Sequence, residues 1–276
     1  MLEIDQISNN MTPAITLKKL SFSYNGVSVI SDINIQFNNQ EMVSIVGPNG
    51  AGKTTLLKLI GGLLTPSQGT ICALGKRIET LNSKDKARLI SIVPQNPRLP
   101  EKMKVVDFVM LGRNPHLALL EWEGKNDLNK AVRSMELTET YVLAERELGQ
   151  ISGGELQRAM LAMAITQNSP IMLLDEPTSN LDLSHQGKVM DLIKNDHRQR
   201  VGATLIAIHD LTLAAQYTDR MILISEGRIF ADGTPEMVLT ESNIEEAYGA
   251  KVTILPHPSG GSPVILPVSG EYPRTE

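Results

Sequence analysis

Cysteine is almost missing: Cys72 is the only one in 276 residues. That excludes an internal disulfide and a cysteine-built metal site, and it suits a reducing compartment. Aromatic residues make up only 4%, too few for a surface that stacks nucleic-acid bases. Positive charge is not in excess. The net charge is −5, so electrostatics offers no reason to expect DNA or RNA as a partner. No apolar run approaches the roughly 18–20 residues that span a bilayer. The first 13 residues are polar, with Asn9 and Asn10, and lack the apolar centre of a signal peptide. Tandem repeats and low-complexity tracts are absent. The expectation is a soluble, intracellular chain that would serve any membrane process through a partner.

What is present is enough for a core. Hydrophobic residues are 41% and charged residues 21%, which fits one large α/β domain with a subdomain. Residues 15–22 and 27–37 are β-rich and partly alternating, and Asn25-Gly26 between them is a strong hairpin signal. Residues 41–46 read as a short buried strand, 53–61 as a helix ended by glycine, and 69–74 as another strand. A β-rich run at 88–93 follows. The texture then turns helical, at 105–111, 126–137 and 155–165. Strand-like runs return at 171–174, 203–208 and 221–224, separated by helical stretches at 184–195 and 211–217. This alternation predicts a parallel sheet with helices on its faces. From residue 252 onward the prolines and glycines predict turns with one or two short strands. The expected organisation is a single domain over 1–276. Its core comprises 15–96 and 166–250, with a helical subdomain at 97–165 and a short extension at 251–276.

Two segments carry phosphate chemistry. Gly47-Pro48-Asn49-Gly50-Ala51-Gly52-Lys53-Thr54 fits the phosphate-binding loop pattern, set between a strand and a helix. Glycines let successive backbone N–H groups turn inward on phosphates, and the helix N-terminus adds its positive end. Lys53 would neutralise the β- and γ-phosphates and Thr54 would offer its hydroxyl to Mg2+. Gly47, Asn49, Gly50, Gly52 and Thr55 complete the candidate ATP contacts there. The second segment is Ile171-Met172-Leu173-Leu174-Asp175-Glu176. Four apolar residues followed by two acids make a buried strand that delivers carboxylates at its C-terminal end, where open α/β sheets bind ligands. Asp175 would hold Mg2+, and Glu176 would polarise the attacking water. These two segments alone fit any P-loop NTPase, a small-molecule kinase included.

Ile151-Ser152-Gly153-Gly154-Glu155-Leu156-Gln157-Arg158 narrows the choice, because it resembles the signature sequence of ABC ATPases, with Ile151 where leucine is usual. Ser152 and Glu155 also form a plain capping box. A helix end opened by Gly153 and Gly154 is redundant within one site, and makes sense as a cap on the γ-phosphate held by another copy. The resemblance extends from residue 15 to about residue 248. Gln95 matches the glutamine that senses Mg2+ and water. Ser179-Asn180-Leu181-Asp182 resembles the D-loop, His209 matches the switch histidine and Tyr24 matches the aromatic that stacks on adenine. The resemblance implies an ABC ATPase fold: a P-loop core with a mostly parallel sheet, an antiparallel β subdomain and a helical subdomain. It implies catalysis by Glu176, His209, Gln95 and Lys53, and Mg2+ held by Thr54, Gln95 and Asp175. It also implies ATP contacts from Ser152, Gly153, Gly154, Glu155 and Asp182 across a head-to-tail dimer. His116, His185, His197 and His257 show no metal-ligand spacing.

Gly112-Arg113-Asn114-Pro115-His116 looks like a motif of the ATPases of iron–siderophore, haem and cobalamin importers, and the tail around Leu255-Pro256-His257-Pro258 is similar to that group. The expectation is an ATP-hydrolysing subunit at the cytoplasmic face of a membrane. It would pair with a second ATPase subunit, a polytopic permease and, indirectly, a substrate-binding protein. The alternatives are a subunit of an exporter or of an importer for another small solute. ABC proteins of DNA repair or translation fit poorly, since there is one phosphate loop, no long coiled-coil insertion and no basic charge excess.

Overall fold

The computed structural model describes residues 12–268, apart from 96, 119–120, 180 and 259–260; of the first 13 residues, all but Thr12 and Pro13 lie outside them. Strands β1 (Ile15–Tyr24) and β2 (Val27–Phe37) pair antiparallel from Tyr24↔Val27 to Ile15↔Phe37. The two residues between them have φ of 48° at Asn25 and 84° at Gly26, the left-handed pair that closes a two-residue hairpin with the twist of its strands. After β3 (Met42–Val46) and α1 (Lys53–Ile60), β4 (Gln68–Ala73) and the short β5 (Lys76–Arg77) complete an antiparallel sheet of order β2-β1-β4-β5.

Helix α2 (Ser83–Leu89) leads into β6 (Ile90–Val93). The β-rich run expected at 88–93 is thus corrected: Arg88 and Leu89 are helical and the strand starts at Ile90. The helix is set by its cap, where the Asn82 side chain accepts from the Asp85 N–H. None of its residues is buried, so it carries no apolar stripe to read. Helices α3 (Val105–Met110), α4 (Lys125–Leu137) and α5 (Gly153–Gln167) follow and pack on one another. Then come β7 (Ile171–Asp175), α6 (Leu183–His197), β8 (Thr204–Ala207), α7 (Leu211–Tyr217) and β9 (Arg220–Ser225). The chain continues through β10 (Arg228–Gly233), α8 (Pro235–Val238) and α9 (Glu241–Tyr248), and ends in the hairpin β11 (Val252–Leu255) and β12 (Val264–Pro267).

The central sheet has the order β10-β9-β3-β8-β7-β6. Its neighbours pair parallel except β10, an antiparallel edge strand. Every residue of β3, β7 and β8 is buried, as expected when both faces are covered. Alternate side chains enter different cores. Val43, Ile45, Leu173, Leu205, Ile222 and Ile224 join α1 and the antiparallel sheet in one apolar cluster. Met172, Leu174, Ile206 and Leu223 face the other way, in a cluster continuous with Phe108, Met135 and Met160 of α3, α4 and α5. The helical unit and the sheet therefore share a core. No helix among the described residues is long and apolar enough to cross a membrane.

The stretch Gly112–His116 has a clear mechanical role. It forms a 3-10 turn (Leu111–His116) laid against the C-terminal end of α5. A Cβ on Gly112 would stand 2.5 Å from Met163 O, so only glycine allows this approach. Arg113 Nη1 donates to Thr166 O at 3.0 Å and His116 Nε2 meets Gln167 O at 2.7 Å, so two side chains satisfy the terminal carbonyls of α5. Arg113 Nε also pairs with Asp127 Oδ1 at 2.8 Å, with side-chain exposures of 5% and 16%. The guanidinium holds the Asp127 carboxyl below the usual carboxylate range. Arg113 is buried and Asp127 half-buried, so removing the guanidinium leaves a charged hydrogen bond and the Thr166 carbonyl without their partner. Arg113→Ala is expected to cost about 2 kcal/mol of stability, read as a lower urea midpoint. An unchanged midpoint would mean that the pair does not hold α4 to α5.

Candidate active site

Parallel strands end on one edge, and the loops leaving β3, β6, β7 and β8 converge there. The loop after β3 bends through three glycines with positive φ: Gly47 at 149°, Gly50 at 81° and Gly52 at 104°. A Cβ on Gly47 would stand 2.1 Å from Ile224 O, and one on Gly52 would lie 2.8 Å from Ile30 Cδ1. Asn49 and Gly50 are exposed at the mouth of the loop, whereas Thr55 is buried behind it. No side chain caps α1. The first helical bond at this end runs from Leu56 N to Gly52 O at 2.8 Å, which leaves the N–H groups of the first turn available to an anion.

Lys53 is buried, and its Nζ donates to Gly47 O at 2.7 Å and Pro48 O at 3.0 Å. Burial pushes the Lys53 ammonium below its ordinary pKa, while the Glu176 and Asp175 carboxylates pull it back up. The ammonium thus sits among carbonyls it can leave for a stronger acceptor. Thr54 Oγ1 donates to Asp175 Oδ1 at 3.0 Å, joining the loop to the end of β7. Burial raises the Asp175 carboxyl, and the Thr54 hydroxyl opposes that rise.

Glu176 is the centre of the arrangement. Gln95 Nε2, beyond β6, donates to its Oε2, and His209 Nε2, beyond β8, meets its Oε1. Its backbone is left-handed, with φ 52°, a conformation that costs a non-glycine residue about 1–3 kcal/mol. The strain is held by Glu176 N donating to Ala207 O at 3.0 Å, and by Ser179 Oγ and N donating to Glu176 O at 2.9 and 3.1 Å.

Lys53, Thr54, Gln95, Asp175, Glu176 and His209 are therefore brought together. The other candidates stand apart. Tyr24 ends β1, 43% exposed, its ring edge-on to Phe22 at 4.7 Å. Ser152 caps α5: its Oγ accepts from Glu155 N at 3.3 Å, and Glu155 Oε2 accepts from Ser152 N at 2.7 Å. Those contacts lower the Glu155 carboxyl. A Cβ on Gly153 would meet nothing within 4 Å, while one on Gly154 would lie 3.1 Å from Leu181 Cδ2. Asp182 caps α6, accepting at Oδ1 from His185 N at 2.9 Å, from His185 Nδ1 and from Ser184 Oγ, which hold it at about 2. Asn180 lies outside the described residues. Two supports of the loop had no sequence signal: Ile224 O, which excludes a side chain at position 47, and the Tyr248 hydroxyl, which faces the Gly47 N–H. Both come from elements far along the chain.

Gly47→Ala drives a methyl into Ile224 O and is expected to abolish ATP binding and lower the melting temperature sharply. Gly50→Ala, with nothing within 4 Å of the added carbon, pays only for its left-handed backbone, about 1 kcal/mol, and should keep its fold. Calorimetry and nucleotide titration of the two variants check this; equal effects would contradict it.

A family model described as ABC transporter matches residues 30–179. The ferric enterobactin transport ATP-binding protein of Escherichia coli strain K12 is 36% identical over 259 residues, 94% of this chain and 95% of that protein. Among solved structures, an inward-facing ABC transporter described as of metal-chelate type superposes with a TM-score of 0.80 at 25% identity, covering 93% of this chain and 98% of that one. A dimeric ATP-binding cassette in a post-hydrolysis state, bound to ADP and Pi, superposes with a TM-score of 0.74 at 26% identity, over 80% and 98% of the two chains. With a phosphate loop, a carboxylate pair at the end of a buried strand and a glycine-opened helix end in the same fold, the chain belongs to the ABC transporter family.

Proposed function

We propose that this chain hydrolyses ATP to drive an importer, working as a head-to-tail pair of copies on a polytopic permease at the cytoplasmic face of a membrane. The cargo class is an iron–siderophore, haem or cobalamin. The hydrolytic part rests on one observation above the rest: the Glu176 carboxylate held at both oxygens by Gln95 and His209. A carboxylate so fixed cannot swing away, and it is poised to take a proton from water. As it does so, the water oxygen attacks the γ-phosphorus, the bond to the bridging oxygen breaks, and ADP leaves with the electron pair. Lys53 leaves its two loop carbonyls for the phosphates and offsets the growing charge. Tyr24, exposed at the end of its hairpin, offers a face to the adenine.

The donor set suits Mg2+. Thr54 Oγ1, Asp175 Oδ1 and Gln95 supply hard oxygen ligands, and Mg2+ sites at phosphates use only one or two carboxylates. Bound there, the ion draws charge from the phosphate oxygens.

The pairing of copies gives a use to residues that stand apart within one chain. Ser152–Gly154 of one copy would close on the γ-phosphate held by the other, with Glu155 fixing the cap and Asp182 at the facing loop. Residues 97–165 form the arm that meets the permease, and 15–96 with 166–250 form the nucleotide core, followed by the extension 251–276. The importer reading is supported by the likeness to the enterobactin ATP-binding protein and the metal-chelate transporter. A substrate-binding protein would deliver cargo to the permease without touching this chain.

Glu176→Gln is expected to retain ATP, turn over about 100-fold or more slowly and run as a dimer on size exclusion with ATP. Wild-type turnover in that variant would remove Glu176 from catalysis. Gentle solubilisation of membranes holding a tagged chain should recover a polytopic partner; recovery of soluble protein alone would sink the transport reading.

A further inference from the structure

The last helix of the core reaches the phosphate loop. Helix α9 is fixed at both ends. Thr240 Oγ1 accepts from Asn243 N at 3.1 Å, and Asn243 Nδ2 donates to Val238 O at 2.9 Å. At the other end Gly249, left-handed at φ 66°, donates to Glu245 O at 2.9 Å. Ile244 is buried, and the Tyr248 ring packs on the apolar cluster that contains Val46 and Leu223. The C-terminal hairpin braces this helix from outside. Strand β11 packs on α9, and β12 packs on α7, where Ile265 N donates to Thr212 Oγ1 at 3.1 Å, three residues beyond His209.

The Tyr248 hydroxyl is shut off from solvent and completes no hydrogen bond, yet it faces the Gly47 N–H. Burial pushes it up to about 12, so it stays protonated throughout the physiological range. A buried hydroxyl without a full bond costs free energy. Gly47 opens the loop. Its carbonyl holds Lys53 Nζ, its φ is 149°, and Ile224 O leaves it no room for a side chain. The same residue is therefore addressed from one side by Lys53 and from the other by Tyr248.

We propose that Tyr248 is a positioning residue for nucleotide binding: settling of the loop onto a phosphate completes the hydrogen bond from Gly47 N–H to the Tyr248 oxygen. The C-terminal helix then contributes to ATP affinity without touching ATP. A bond completed only when nucleotide binds adds to affinity and not to the stability of the free chain. It is also retained equally in the bound ground state and the transition state, so it acts on KM and leaves kcat alone. This inference rests on the reading of the loop as an ATP site.

The test uses the full chain with MgATP and three variants. Tyr248→Phe keeps the ring and deletes the oxygen. Its melting temperature without nucleotide should match or slightly exceed wild type. Its ATP dissociation constant and KM should rise about threefold to tenfold, as one net hydrogen bond implies, with kcat unchanged. Tyr248→Leu removes the ring as well and should also lower the melting temperature. If Tyr248→Phe binds ATP within twofold of wild type while Tyr248→Leu loses both affinity and stability, the side chain only fills space and the proposal fails. A fall in kcat at constant KM in Tyr248→Phe overturns it too. Lys53→Ala separates the two readings. Lost binding there beside an unaffected Tyr248→Phe refutes the positioning role alone, whereas binding retained in Lys53→Ala refutes the ATP site itself.

Discussion

Four loops distant in sequence must end on one edge, and parallel pairing of β3, β8, β7 and β6 imposes this. Each strand of a parallel sheet runs the same way, so the residues that follow them emerge together. The phosphate loop, the Asp175–Glu176 pair, Gln95 and His209 depend on it. None of these groups could hold its partner if one strand were reversed, because a reversed strand would deliver its loop to the opposite edge. The cost of that convergence is burial of charge. Lys53 and Asp175 are both withdrawn from water, and their pKa values move toward one another in consequence. The Glu176 and Asp175 carboxylates oppose the fall at Lys53, and the Thr54 hydroxyl with Lys53 opposes the rise at Asp175.

Strain is concentrated at the candidate active site. Glu176 is held in a left-handed conformation by Ala207 and Ser179, and the loop glycines occupy angles closed to other residues. Away from the edge, the same chain uses ordinary devices: a two-residue hairpin at Asn25-Gly26, side-chain caps at Asn82, Ser152, Asp182 and Thr240, and a shared apolar core between sheet and helices. The Gly112–His116 turn belongs with these devices. It points to a transporter group by resemblance, but physically it fastens the C-terminal end of the helix that begins at Ser152. The far end of that helix is thereby immobilised relative to α4, so its open N-terminal end has a defined place from which to meet another copy.

Legibility in the sequence followed how local the cause was. Asn25-Gly26 announces its hairpin because the turn needs only those two residues. The buried runs at Met42–Val46 and Ile171–Asp175 announce central strands because burial on both faces leaves a nearly continuous apolar run, broken only by Ser44 in the first and ended by Asp175 in the second. Helix α2 was hidden because no residue of it is buried, so it has no period to read. Edge strand β10 was hidden for a related reason: its residues are exposed or half-buried throughout. Arg88 and Leu89 read as strand from the sequence because the apolar run they join begins right after them, and the cap that makes them helical sits six residues upstream of Arg88.

By itself the sequence determined which groups are candidates for the chemistry, since the glycine spacing before Lys53 and the two acids after an apolar run are local requirements of phosphate binding and proton transfer. It also determined the alternation of strands and helices from which a parallel sheet follows. Only the tertiary structure decided how those groups act on one another. Glu176 meets Gln95 and His209 because β6, β7 and β8 are neighbours in the sheet, an order that no local pattern states. Position 47 must be glycine for two reasons, and the second, the carbonyl of Ile224, comes from a strand that follows much later in the chain. Tyr248 reaches the phosphate loop for the same physical reason: close packing brings an apolar ring to the core, and its one polar atom must then face whatever backbone is there.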